Sequence, residues 1–138
     1  MIYFDKGGLR MNVFEGFSAF NFDEGVPYVS VTKNGVSFNK SVIMKLNYPS
    51  NVVLLINPES KKIAIKCCDE STPNSVAFYK NKENSNVLCV RWNAKDLLDT
   101  IEKMMEWDLE SSGYRAGGIL LNEEKAMLFD LSMAKSIK

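Results

Sequence analysis

Three cysteines, seventeen carboxylates and seventeen cationic side chains are the reactive groups of this 138-residue chain, which contains no histidine. Without imidazole there can be no Ser/His triad, no Cys/His dyad and no His-ligated metal site. Cys67, Cys68 and Cys89 are odd in number and lack the CxxC spacing of redox or zinc sites. A Cys67–Cys68 bridge would strain the peptide between them, so all three read as inert, buried thiols in a reducing compartment. Asp96, Asp99, Glu102 and Glu106 lie opposite Leu97, Leu98, Ile101, Met104 and Met105 at helical spacing. That is the pattern of a solvated helix face rather than of acid/base catalysts. No GxGxxG, Walker loop or GxSxG occurs, and Gly117-Gly118 within an apolar run marks a bulge or a close backbone approach. The expectation is a protein that is not an enzyme, with no catalytic residues, no metal and no cofactor.

The chemistry that remains is electrostatic. The net charge is zero, but it is unevenly distributed along the chain. Residues 26–68 hold Lys33, Lys40, Lys45, Lys61, Lys62 and Lys66 against the single acid Glu59, a net of +5. Residues 1–25 carry −2 and residues 69–138 carry −3. Such asymmetry suits an anionic partner, and phosphates are held by Lys, by short polar side chains and by exposed amides. Lys33, Asn34, Lys40, Lys45, Lys61 and Lys62 are therefore the candidate nucleic-acid contacts. A solvated lysine surface that keeps apolar hairpins soluble explains the same residues. With no arginine in the segment, phosphate contact is favoured over base readout, since Arg supplies the bidentate grip on guanine.

The elements that must carry these lysines are legible in the alternation of side chains. Tyr28–Thr32 and Val36–Phe38 are strands around Asn34-Gly35, a strong hairpin turn signal. Asn39 caps a short helix through Leu46, which Asn47 and Pro49 end. Asn51–Ile56 and Lys62–Cys67 form a hairpin around Asn57-Pro58-Glu59-Ser60. The second half repeats that order. Val76–Lys80 and Val87–Trp92 are strands around a polar turn at 81–86. Asn93 caps a helix with Asp96 at its third position, and Leu97 to Met105 form its apolar stripe. Tyr114–Leu121 and Ala126–Leu131 close as a hairpin on Asn122-Glu123-Glu124-Lys125. Trp92 and Trp107 bracket the second helix as packing anchors.

The expected fold is therefore α+β and mostly antiparallel β, with two β-β-α-β-β units sharing one core. Residues 1–25 form an N-terminal arm, 26–68 the first unit and 75–132 the second, packed on the first. Within the arm, Lys6-Gly7-Gly8 is encodable by a purine run like a bacterial or phage ribosome-binding site, at the usual distance before Met11. Residues 1–10 then read as translated leader; an ordinary Gly-Gly arm is the alternative. The longest strictly apolar run, Val52–Ile56, is far short of the roughly twenty residues a spanning helix needs. The N-terminus lacks the apolar stretch of a signal peptide, so no membrane association and a cytoplasmic location are expected.

Residues 29–67, VSVTKNGVSFNKSVIMKLNYPSNVVLLINPESKKIAIKC, resemble the AbrB/MazE/MraZ swapped-hairpin family. The resemblance rests on Lys33 and Gly35 at the turn, Lys40 at the helix start, Leu46 at its end, and Val52–Ile56 with Ile63–Lys66 as the closing strands. The family's Ile-Pro before the helix is replaced by Phe38-Asn39, its arginines by lysines, and its Gly-Asp before the third strand by Ser50-Asn51. A degenerate second copy over 76–131 would resemble the tandem arrangement of MraZ, which lets one chain close its own barrel. The resemblance implies a transcriptional regulator or antitoxin that contacts duplex DNA. The competing expectation is a non-enzymatic interaction module whose acidic C-terminal half meets a protein partner. Oligomeric state is left open between monomer and homo-oligomer.

Overall fold

A computed structural model describes residues 2–4, 10–19, 25–80 and 89–137. Strand β1 (Ile2–Phe4) pairs with β2 (Arg10–Asn12) in a two-stranded sheet of its own. The remaining strands build one antiparallel sheet: β3 (Tyr28–Thr32), β4 (Gly35–Phe38), β5 (Asn51–Asn57), β6 (Lys62–Cys67), β7 (Ser75–Ala77), β8 (Val90–Trp92), β9 (Gly113–Leu121), β10 (Ala126–Asp130) and β11 (Lys135–Ile137). Their order is β7-β5-β6-β10-β9-β3-β4-β8, with β11 on the free side of β9. The sheet curls into a half-barrel. Its two edge strands meet where the Trp92 indole N–H donates to the Ala77 carbonyl at 3.2 Å. The protein is thus mostly antiparallel β, with two α-helices among the described residues, α1 (Lys40–Lys45) and α2 (Lys95–Met105).

Alternation explains the curl. Val29 and Val31 of β3, Val36 and Phe38 of β4, Ile63 and Ile65 of β6, and Met127 and Phe129 of β10 all point inward and are at most 1% exposed. Their polar neighbours face out. Phe38 sits among Phe78, Trp92 and Phe129, with ring centroids 5.0 to 5.7 Å away. Residues from both halves therefore share one core. Helix α1 contributes buried Val42 and Ile43, and α2 contributes Leu98 and Ile101.

Local signals held where the backbone had a reason to obey them. The Asn39 side chain accepts from the Val42 N–H and also from the Tyr28 N–H, so one residue caps α1 and closes the β3–β4 hairpin. Asn47 and Tyr48 then both take positive φ, which ends the helix. At Gly118 the backbone approach is close: a Cβ there would lie 2.8 Å from both the Met127 sulfur and the Phe129 ring. Strand β9 leaves β3 for β10 at that point, Gly117 pairing with Tyr28 and Gly118 with Phe129.

Three expectations are corrected. Ala94, not Asn93, occupies the cap position of α2, and no side chain caps it. Asp96 in the first turn still complements the helix dipole, and Asn93 instead lines a surface depression with Lys33 and Lys95. The strand expected over Val76–Lys80 ends at Ala77, after which Phe78 N–H and Tyr79 N–H bond to the Ser50 and Pro49 carbonyls. The cysteines are not uniformly buried: Cys67 and Cys68 are half-buried and Cys89 is exposed. The turn expected at 81–86, Val87, Leu88 and most of the proposed leader lie outside the described residues.

Candidate nucleic-acid interface

The six residues singled out from sequence fall at three places. Lys33 and Asn34 form the β3–β4 turn, held by an Asn34 N–H to Thr32 hydroxyl bond of 3.1 Å. Lys40 opens α1 at the other end of β4, four strand residues away or roughly 14 Å. Lys45 in the last turn of α1 lines a depression of about 330 Å³ with Asn47, Ser50, Cys67 and Lys125. Lys61 and Lys62 sit at the far end of the β5–β6 hairpin, where the Lys61 carbonyl accepts from the Leu131 N–H.

Lys62 has an acidic neighbour. It lies opposite Asp130 in the β6–β10 register. The Ser132 hydroxyl, aided by the Ser132 N–H and the Lys62 charge, holds the Asp130 carboxyl below its usual range. The nearby carboxylate therefore stays charged and competes with any phosphate for Lys62. Lys66 is similarly engaged, 3.7 Å from Glu124.

Lys33 has different company. It lines a depression of about 440 Å³ with Asn34, Arg91, Glu110, Ser111 and Ser112. A second depression of about 350 Å³ adjoins its other side and includes Lys95, Asp99 and Glu102. Glu102 is committed to structure: its carboxylate accepts from the Leu109 N–H at 2.9 Å.

Arg91 leads to residues that sequence reading missed. In register across five strands run Lys135 of β11, Arg115 of β9, Ser30 of β3, Ser37 of β4 and Arg91 of β8. They occupy the outer face, opposite the buried Val29, Val31 and Ala116. None of these five strands contains an Asp or Glu. At a strand spacing of about 4.8 Å the row is about 19 Å long.

Arg115 is held in place. Its Nε–H donates to the Ser30 hydroxyl at 3.3 Å, and its guanidinium lies 4.1 Å from the centroid of the Tyr28 ring. Gly117, opposite Tyr28, has no side chain to block that approach. Stacking on an aromatic ring leaves outer guanidinium N–H groups free to donate. Half-buried Ser37 adds a short donor of the kind that contacts phosphate oxygens, whereas Ser30, 7% exposed, serves to hold Arg115.

No family model matches this chain, and no curated protein or solved structure matches it. The assignment of a ligand rests on the surface itself. Among the described residues, no three Cys, Asp or Glu side chains gather as a metal-binding group, and no helix is long and apolar enough to cross a membrane. The Cys67 thiol is pushed up from its ordinary value by burial and donates weakly to the Leu46 carbonyl at 3.8 Å. That raised value disfavours the thiolate a nucleophile would need.

Proposed function

We propose that the chain is a non-enzymatic, cytoplasmic nucleic-acid-binding transcriptional regulator that holds duplex DNA by its phosphates. The observation that carries this reading is the acid-free row Lys135–Arg115–Ser30–Ser37–Arg91, with Lys33 beside Arg91 at its end. A row about 19 Å long runs beside about five phosphates of one DNA strand, at 3.4 Å of axis each. Of the residues expected from sequence, Lys33 and Asn34 belong to this surface and Lys40 flanks it. Lys45, Lys61 and Lys62 take a secondary part, since they lie elsewhere on the molecule.

The strand pairings support the finer reading of two exchanged β-β-α-β-β units. The first strand of each half pairs with the third strand of the other, β3 with β9 and β7 with β5. Second strands pair with each other, β4 with β8, and so do fourth strands, β6 with β10. An approximate two-fold relation of this kind suits the swapped-hairpin resemblance of residues 29–67.

The test is binding of a labelled random-sequence duplex, followed by fluorescence anisotropy at low salt. Arg91→Ala with Arg115→Gln should weaken binding by at least tenfold, for every duplex sequence alike. Lys103→Ala with Lys125→Ala should leave it nearly unchanged. Absence of binding by the unaltered protein, or equal losses from the two pairs, would overturn the reading.

A further inference from the structure

The other stretch of the outer face has the opposite character. Leu55 of β5, Ala64 of β6, Leu128 of β10 and Ile119 of β9 lie in one register row across four strands. Leu55 is 48% exposed and Ile119 61% exposed. The next row adds Val53, Ala126 and Leu121 around Lys66. Large apolar side chains aligned in register on a sheet face are the inner-face pattern of a sandwich; here Leu55, Ile119 and Leu121 are exposed, Val53, Ala64 and Leu128 half-buried, and Ala126 buried.

Charge beside the row is divided between strands. The basic side chains, Lys62 and Lys66, are on β6. β10 ends in the acidic Asp130, and the two turns are mixed in sign, Glu59 with Lys61 between β5 and β6 and Glu123 and Glu124 with Lys125 between β9 and β10. We propose that this face binds a second copy of the chain, related by a two-fold axis running along the strands between β6 and β10. That operation keeps each level of the sheet opposite itself and exchanges the two central strands. Ala64 then faces Leu128 of the second copy, small against large, at both equivalent positions. Leu55 faces Ile119, and Lys62 faces Asp130. An axis across the strands would instead set Lys62 over Lys66, like against like.

The footprint sets the strength. Four strands spaced by about 4.8 Å and about five residues high cover a few hundred Å² per copy, against roughly 800 Å² for a standard stable interface. The dimer is therefore weak and reversible, dissociating at low micromolar concentration. The Arg91–Arg115 row shares only β9 with this face, at Arg115 rather than at Ile119 and Leu121, and this inference does not depend on the nucleic-acid reading.

Sedimentation of the full chain from about 5 μM to about 1 mM tests it, a range that brackets weak dimers. The average mass should rise from 15.6 kDa toward twice that value. Leu55→Ser with Ile119→Ser should hold it at the monomer mass throughout. Both positions are exposed, so thermal melting should match the unaltered chain. Lys62→Glu should weaken association by roughly threefold or more, because each two-fold interface contains two such contacts. It gives an answer even if the double variant were to unfold. An unaltered chain that is monomeric at every concentration, as when another segment of the same chain covers the face, would overturn the proposal. So would association undiminished in these variants.

Discussion

At the scale of single residues, the side chains that matter are the ones whose partners are fixed by register. Lys33, Asn34 and Lys40 stood out because lysine is concentrated in residues 26–68, and they lie on or beside the cationic face. Arg91, Arg115 and Lys135 did not, because they come from a segment with a net charge of −3. Summing charge along the chain hid them; pairing across strands collects them. Ser30 and Ser37 alternate with buried valines and read as ordinary outward positions. The thiols give an independent check at this scale. Cys89 is exposed, while Cys67 is half-buried with its thiol held protonated by burial. Alkylation of the native protein near neutral pH, followed by peptide mass mapping, should label Cys89 well before Cys67; the reverse order would contradict the described placement. Asp130 makes a second prediction. Its depressed value stabilises the folded state above the ordinary carboxylate range, and that stability is lost as pH falls through its lowered value. Asp130→Asn should therefore flatten the acid limb of the stability–pH profile by lowering stability near neutrality, while leaving it unchanged below the lowered value.

At the scale of elements, period and the Asn39 cap were readable, while the second cap and partner choice were not. The β3–β4 hairpin, both helices and the two closing hairpins follow from alternation, from Asn34-Gly35 and from the helical stripe of α2. Strand β7 is shorter than its sequence suggests because Phe78 turns into the core, 6% exposed, against Phe38 and Trp92. Asn93 fails as a cap because Ala94 already occupies the position whose carbonyl accepts from Leu98 N–H. The Gly117-Gly118 pair was legible as a feature but not as the place where β9 changes neighbours. Its two glycines should respond differently to the same change. Gly118→Ala, driven into Met127 and Phe129, should destabilise by about 1–3 kcal/mol. Gly117→Ala, whose nearest neighbour would be the Pro27 carbonyl at 3.9 Å, should stay within about 0.5 kcal/mol. Ile101→Ala in α2, fully buried, should cost about 2–5 kcal/mol. Chemical denaturation of the three variants measures all of these.

At the scale of the whole molecule, the two halves are not stacked side by side but paired through one another. Every half contributes strands on both sides of the other, and Phe38, Phe78, Trp92 and Phe129 close one core from both. Unfolding should therefore be a single cooperative transition seen alike by tryptophan fluorescence and far-ultraviolet dichroism, whereas two separated transitions would mean independent halves. The same curl divides the outer surface into a cationic, hydroxyl-rich stretch and an apolar one. Neither could be located from sequence, because both depend on which strands neighbour which. The decisive measurement is the salt dependence of duplex-DNA affinity for the full chain. Lys33, Arg91, Arg115 and Lys135 together predict a log–log slope of about −3 to −3.6, at about 0.9 per phosphate neutralised. Arg91→Ala with Arg115→Gln should flatten it by about two units. A slope near zero, or one that the double substitution leaves unchanged, would contradict a phosphate-binding role for this face.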